Sequence, residues 1–173
     1  MTIKNTSKLL NRLTKFEVIV GSVLFFLPVI LWLATGEIRP SISNYAYSDL
    51  PHLLPTLLTS AGLLFAYNGV VHRDKWYNIV IGFLLIGVAL TPHKDYPLLH
   101  YFFTGAFFVG SAAVMIIYSS TKQRWWKIIA GVVMVLAIAL SFIFKLFSVF
   151  LAEWIGIFPI TIHFIGESLN KID

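Results

Sequence analysis

The sequence predicts an all-α bundle embedded in a membrane, and three observations carry the prediction. Six apolar stretches, separated by short polar turns, fill nearly all of the 173 residues. Asp, Glu, Lys and Arg make up 12% of the chain against 58% hydrophobic residues, whereas soluble domains run near 25% charged. The basic residues also collect in alternate turns, as they do when a chain crosses a bilayer repeatedly.

The elements follow in order. A hydrocarbon core about 30 Å thick takes about 20 helical residues, or about 17 when the flanks are drawn in. The first stretch, residues 16–35, is long enough. It follows a basic segment (Lys4, Lys8, Arg12, Lys15) that resembles a signal peptide, but the apolar run is longer than a secretory one and no small-x-small site follows, so it reads as a retained span. Gly36–His52 is the longest connection, at 17 residues, too short for a soluble domain. The second span is expected at 53–71 and the third at 76–91, which is the shortest. The fourth, fifth and sixth are expected at 98–118, 125–144 and 148–169. Residues 1–173 thus form one transmembrane domain, and lengths of this order suit helices rather than barrel strands. Glycines such as Gly62, Gly69, Gly82 and Gly156 lie inside spans, where small residues let helices approach closely.

Charge gives the expected orientation. Nine basic residues (Lys4, Lys8, Arg12, Lys15, Arg73, Lys75, Lys122, Arg124, Lys127) sit on one side and three (Arg39, Lys94, Lys145) on the other. The positive-inside rule puts both termini in the cytoplasm of a cell membrane. The net charge of +5 then serves topology and anionic headgroups. It does not describe a nucleic-acid partner, since no basic face with interleaved aromatics lies outside the spans. Lys75-Trp76 with Ile79 and Gly82 matches Arg124-Trp125 with Ile128 and Gly131 at an offset of 49. A basic turn with a Trp anchor, needed twice at one interface, accounts for this, as does a duplicated helical pair. Cysteine is absent, which removes disulfides, thiolate metal sites and Cys nucleophiles.

Polar side chains inside hydrocarbon are costly unless partnered, so they mark the bundle interior or a wet cavity. His52, Thr56 and Thr59 share one helical face, and His100, Thr104 and Ser111 share another. Glu153 enters at a depth similar to His100, and Asp49, His93 and Asp95 occupy the adjoining turns. The expectation is an outer cavity holding His52, His100 and Glu153, with Ser43 and Asp49 at its mouth. Imidazoles and carboxylates are zinc ligands, so His52 and His100 with Asp49 or Glu153 form the set a zinc ion would use. Without a metal, the same groups line a polar site in which Glu153 pairs with an imidazole or with Lys145. A second, inner cluster pairs His163 with Glu167 and Asn68 with His72, each four residues apart. Glu153, Gly156, Ile160, His163 and Glu167 fall on one arc of about 80° on the sixth span, and Pro159 is expected to loosen its backbone. Enzyme signatures such as His-Glu-x-x-His, Gly-x-Ser-x-Gly or a Walker loop are missing.

The run Pro40-Ser41-Ile42-Ser43-Asn44-Tyr45, then Pro51, a Gly-rich third span and His100-Tyr101-Phe102-Phe103-Thr104-Gly105-Ala106, resembles the six-span DRAM/Frag/Sfk-type family. That family holds autophagy modulators, lipid-anchor remodelling proteins and bacterial relatives. Its Ile-Ser-Asp turn follows span one, and a His precedes a Gly-Ala step in span four. The resemblance implies six spans and shared extracytoplasmic polar residues at Ser43, Asn44 and His100. Asn44 stands where the family commonly has Asp. Ser48-x3-His52, Asp95 and His163-x3-Glu167 are more distantly similar to the CREST membrane hydrolases and receptors, with Glu167 in place of a second His. These readings lead to an expected function as a membrane protein that handles a lipid or small amphipathic ligand in an outward-facing cavity, without catalysis or cofactor. The alternatives are a zinc-dependent hydrolase of lipid amides or esters and an ion or proton path along the sixth span.

Overall fold

The computed structural model describes residues 3–118, 121–169 and 171, with side chains for 13–72, 74–118, 121–169 and 171. Seven α-helices order the described chain: α1 (Ile3–Phe25), α2 (Leu27–Thr35), α3 (Leu53–Val71), α4 (Tyr77–Leu90), α5 (Pro97–Ala113), α6 (Arg124–Phe144) and α7 (Val149–Ser168). A 3₁₀ turn occupies Ile42–Tyr47, and a π-helical segment, Val114–Tyr118, prolongs α5. Among the described residues, α3, α5 with its extension, α6 and α7 are each long and apolar enough to cross a bilayer. The protein is therefore membrane-embedded and helical.

The first expected span is not one straight helix. Residues 13–25 and 27–35 together meet the length and composition of a crossing, but they meet at 62°. Pro28 explains the break: it has no N–H to donate, and its ring collides with the carbonyl four residues back. Gly36 then ends α2 in the left-handed region at φ 71°, a conformation that costs glycine little. The third expected span is short as well. α4 has 14 residues, about 21 Å at 1.5 Å per residue, against a core of about 30 Å.

What α4 lacks in length it gains in contact with α3. Gly62 and Gly82 face each other so closely that a Cβ on either would strike the other's carbonyl oxygen. A Cβ on Gly69 would lie 2.9 Å from the Ile79 nitrogen. Backbones approach this closely only where side chains are absent. The remaining helices follow one another as neighbours, with α1 closing the bundle against α7 and α3. Leu27, Leu31, Tyr45 and Met134 are fully buried in the core. Phe65 and Phe164 (ring centroids 4.3 Å apart) tie α3 to α7.

α7 runs unbroken through Pro159. Its start is set by Ser148, whose Oγ accepts from the Leu151 N–H, as an N-cap serine does. α5 starts at Pro97, whose missing N–H costs nothing at a first helical position. The connections at 36–52, 91–96 and 145–148 gather at one end of the bundle (the loop end), and those at 72–76 and 121–123 at the other (the basic end).

Candidate functional site

At the loop end the 3₁₀ turn is clamped into place. Ser41 Oγ accepts from the backbone N–H of Asn44 at 3.1 Å and from its Nδ2 at 2.8 Å. The Pro40 carbonyl accepts the Phe150 N–H at 2.9 Å, which fastens the turn to the first turn of α7. Fully buried Tyr45 donates its hydroxyl to the Glu37 carbonyl at 2.8 Å. The N–H groups at the start of a helical turn lack internal partners and favour an anionic or acidic group. Glu153 meets that need from α7: its Oε2 accepts the Ile42 N–H, and its Oε1 lies 3.2 Å from Ser43 Oγ.

Ser43 is the hub of the site. Its Oγ is also 3.0 Å from His100 Nε2, while His100 Nδ1 lies 2.7 Å from the Thr91 carbonyl oxygen. A carbonyl can only accept, so Nδ1 carries the hydrogen. A continuous chain therefore runs Glu153–Ser43–His100–Thr91, joining α7, the 3₁₀ turn, α5 and the end of α4. Glu153 and His100 are 6% and 4% exposed. Beside the chain is a cavity of about 160 Å³, lined by Pro40, Ser41, Ser43, Asn44, His93, His100, Tyr101, Thr104, Phe142, Val149 and Glu153. Thr104 Oγ1 and His93 Nδ1 are buried there with no hydrogen-bond partner.

The rim is built by Tyr47, which donates to Asp95 (3.2 Å), accepts from the Lys94 N–H (2.8 Å) and packs edge-on against His93 at 5.3 Å. Lys94 Nζ sits 4.5 Å from the Tyr47 ring centre. Burial, reinforced by Lys94 and opposed by Asp95, holds His93 below its ordinary value. Burial likewise pushes the Tyr47 phenol up.

The expected outer cluster is therefore part of a different arrangement. His100, Glu153, Ser43 and Asn44 come together, with Ser43 between the imidazole and the carboxyl rather than at the mouth. His52 and Asp49 do not join them: both are exposed in the turn ahead of α3. Thr56 is exposed too, because the inward face of α3 is the one carrying Leu54, Leu58, Ala61, Gly62, Phe65 and Asn68. Close packing on α4, not polarity, decides which way α3 turns. Lys145 is exposed in the left-handed cap of α6 and does not pair with Glu153. Among the described residues no three His, Asp or Glu side chains converge as a metal requires, and the His52, His100, Asp49 and Glu153 set does not fit a zinc ion. The CREST-like residues are likewise divided, with His52 and Asp95 at the loop end and His163 and Glu167 on the far half of α7.

The basic end holds a second polar cluster. Glu17 Oε1 accepts Asn68 Nδ2 at 2.6 Å, and Asn68 Oδ1 accepts Asn78 Nδ2 at 2.9 Å. Glu167 Oε1 accepts the Tyr77 hydroxyl at 3.0 Å and pairs with Lys75 Nζ at 3.0 Å. His163 is buried nearby, beside a gap of only about 20 Å³ that Ser111, Asn78 and Glu167 share. His72 stays at the half-buried end of α3. Glu17, Asn78 and Lys127 belong to this buried polar set although the sequence reading did not select them. Glu17 lies one residue inside the first apolar run, a position that a depth count identifies. Lys127, counted with the turn charges, is buried in α6. Between the two ends α7 presents Gly156, against the Phe108 ring, and buried Ile157 and Ile160. An apolar layer thus separates the clusters. A broad apolar groove of about 610 Å³ between α6 and α7, lined by Trp126, Val133, Leu151, Trp154, Pro159 and His163 among others, completes the open spaces.

No curated protein and no solved structure matches this chain. Residues 26–168, spanning α2 to α7 and every residue of the Glu153–Ser43–His100 chain, match the profile of DUF7103, a family of unknown function, and the chain belongs to that family.

Proposed function

We propose that the protein is a six-span membrane protein that binds the polar head of a lipid or small amphipathic molecule in the Ser43 cavity, without catalysis. The carrying observation is the cavity itself: polar groups converge on about 160 Å³ beside a buried carboxyl. That volume is well below the roughly 300–1,000 Å³ of a pocket for a whole drug-sized ligand. At about 30 Å³ per water in the liquid, it suits a head group of a few heavy atoms, with the chain left outside. Tyr101 and Phe142, both exposed on the bundle surface and packed edge to face at 6.0 Å, flank the way out. An alkyl chain leaving there meets lipid rather than water.

In this reading α1 with α2 makes one bent crossing, and α4 makes a short one sheltered by α3. The Lys and Arg distribution favours both termini in the cytoplasm of a cell membrane and the Ser43 cavity on the outer side. The DRAM/Frag/Sfk-type resemblance singles out Ser43, Asn44 and His100, all of which line this cavity. Membrane lipids are the expected partners.

Photolabelling tests the reading. A ten-carbon amphipath carrying a diazirine near its head should label Tyr101, Phe142 and Val149 in membranes. Thr104→Phe, which fills the cavity from α5, should reduce that labelling at least tenfold while circular dichroism and melting stay unchanged. Labelling spread evenly over lipid-facing helices, and indifferent to Thr104→Phe, would overturn the proposal.

A further inference from the structure

We propose that the cavity takes up the ammonium head of a cationic amphipath in exchange for one proton, which Glu153 gives up. The inference rests on the amphipath reading above and names the head group.

Hydrogen counting comes first. With Nδ1–H committed to the Thr91 carbonyl, a neutral His100 ring offers Nε2 as an acceptor. The group 3.0 Å away is the Ser43 hydroxyl, which has one hydrogen to give. The 3.2 Å contact between the same oxygen and Glu153 Oε1 is then a hydrogen bond only if Glu153 is a carboxylic acid that donates to Ser43. The other complete assignment is an imidazolium donating to Ser43 and Ser43 donating to a carboxylate. The two differ by the shift of two hydrogens, one from Glu153 to Ser43 Oγ and one from Ser43 Oγ to His100 Nε2. With the cavity empty the neutral assignment is favoured, because separated buried charges must both be desolvated.

Charge around the carboxyl comes second. The groups that face it are Ser41, Ser43 and Asn44 from the 3₁₀ turn, His100, Tyr101 and Thr104 from α5, His93 from the turn before α5, and Phe142 from α6. The titratable ones are His93, His100 and Tyr101. Among the described residues no lysine or arginine lines the cavity. Arg39 is held by Glu37 (2.7 Å) and the Tyr47 carbonyl (3.2 Å), Lys94 lies over Tyr47, and Lys145 is exposed. An ionised Glu153 thus lacks a lysine or arginine partner in the cavity, and a bound ammonium supplies a permanent cation.

The remaining lining suits that head. Thr104, 8% exposed, holds Oγ1 with no partner, and the His93 Nδ1 is likewise unpartnered; the hydroxyl oxygen accepts N–H hydrogens, and so does Nδ1 in the tautomer that carries its hydrogen on Nε2. The Tyr101 and Phe142 rings offer faces to a cation at the mouth. The exchange balances: Glu153-COOH and R-NH3+ give the Glu153-COO−/R-NH3+ pair and one released H+, with no bond to carbon made or broken.

Calorimetry on the full chain in nanodiscs, titrated with octylamine and with 1-octanol and corrected against empty nanodiscs, tests this. Octylamine, an ammonium throughout the range, should bind with release of one proton, read from runs in two buffers of different ionisation enthalpy. Its affinity should rise with pH, by up to about tenfold per unit while Glu153 holds its proton, and level off once the free carboxyl ionises. Glu153→Gln should abolish the proton release and weaken octylamine at least tenfold, while its melting temperature stays near that of the wild type. Octylamine binding without proton release, or unchanged in Glu153→Gln, overturns the exchange but leaves the amphipath reading standing. Failure of both probes to bind the wild type overturns both.

Discussion

Two glutamates on the same face of α7, Glu153 and Glu167, are equally buried, yet their surroundings are opposites. Glu167 is paired with Lys75 and bonded to Tyr77, next to a gap too small for more than one water. Glu153 has the backbone N–H groups of Ile42 and Ser43 and the Ser43 hydroxyl as partners, no lysine or arginine among the described residues, and a cavity beside it. A buried carboxylate is tolerated when a charge and hydrogen bonds compensate it. Glu167 meets that condition within the protein and so serves the fold. Glu153 has no such cation: the N–H groups of the 3₁₀ turn compensate it in part, and in the reading proposed above a held proton or a cation received from outside does the rest. In the reading proposed above, the contrast separates an acid that serves the fold from one that meets a ligand.

The largest expected effect tests the structural half. Lys75→Met takes one cation away from buried Glu167, which should destabilise by up to about 3–5 kcal/mol and lower the melting temperature in mild detergent accordingly. Equal stability in this variant would remove the distinction. Next comes the α3–α4 seam: Gly82→Ala puts a Cβ against the Gly62 carbonyl and should cost about 1–3 kcal/mol, as overpacking does. Glu153→Gln keeps an acceptor for the Ile42 N–H and removes only the ionisable group, so its melting point should move by less than the equivalent of about 1 kcal/mol. A large destabilisation there would make Glu153 a second structural acid.

The loop end should also respond to pH. Burial holds His93 below its ordinary value of 6.5, so the unfolded chain takes up a proton first as pH falls. Stability is full above 6.5 and declines as the pH drops below it. His93→Gln should shrink the melting-temperature difference between pH 5.5 and 7.5; an unchanged difference would show that His93 does not titrate with folding. The smallest effect is expected at Asp49 and His52, which are exposed: Asp49→Asn and His52→Ala should leave stability and octylamine binding within error.

These residues also mark how far the sequence could be read. The apolar runs gave the helices, because hydrocarbon length is a local property. The stripes of α5 and α7 pointed to His100, Thr104, Ser111, Glu153, His163 and Glu167, all buried, because a regular helix carries its polar face inward together. The same rule failed on α3, where glycine-mediated packing on α4 overrides polarity and turns His52 and Thr56 outward. The central role of Ser43 was not legible from helical periodicity, since a 3₁₀ turn fastened to α7 by one bond from Phe150 to Pro40 leaves no periodic trace. Glu17 and Asn78 were missed for a related reason: each completes a network whose other members lie on different helices. The break at Pro28 needed only a closer reading of one residue.

The most direct test of the contrast is covalent. Dicyclohexylcarbodiimide enters hydrocarbon and reacts with protonated carboxyls, so brief treatment of the protein in nanodiscs at pH 7, followed by peptide mass spectrometry, compares Glu153 and Glu167 in one experiment. Glu153 should be modified, with suppression by octylamine, and Glu167 should be spared, since its carboxyl is paired with Lys75 and bonded to Tyr77. Modification of Glu167 with Glu153 untouched would contradict the contrast.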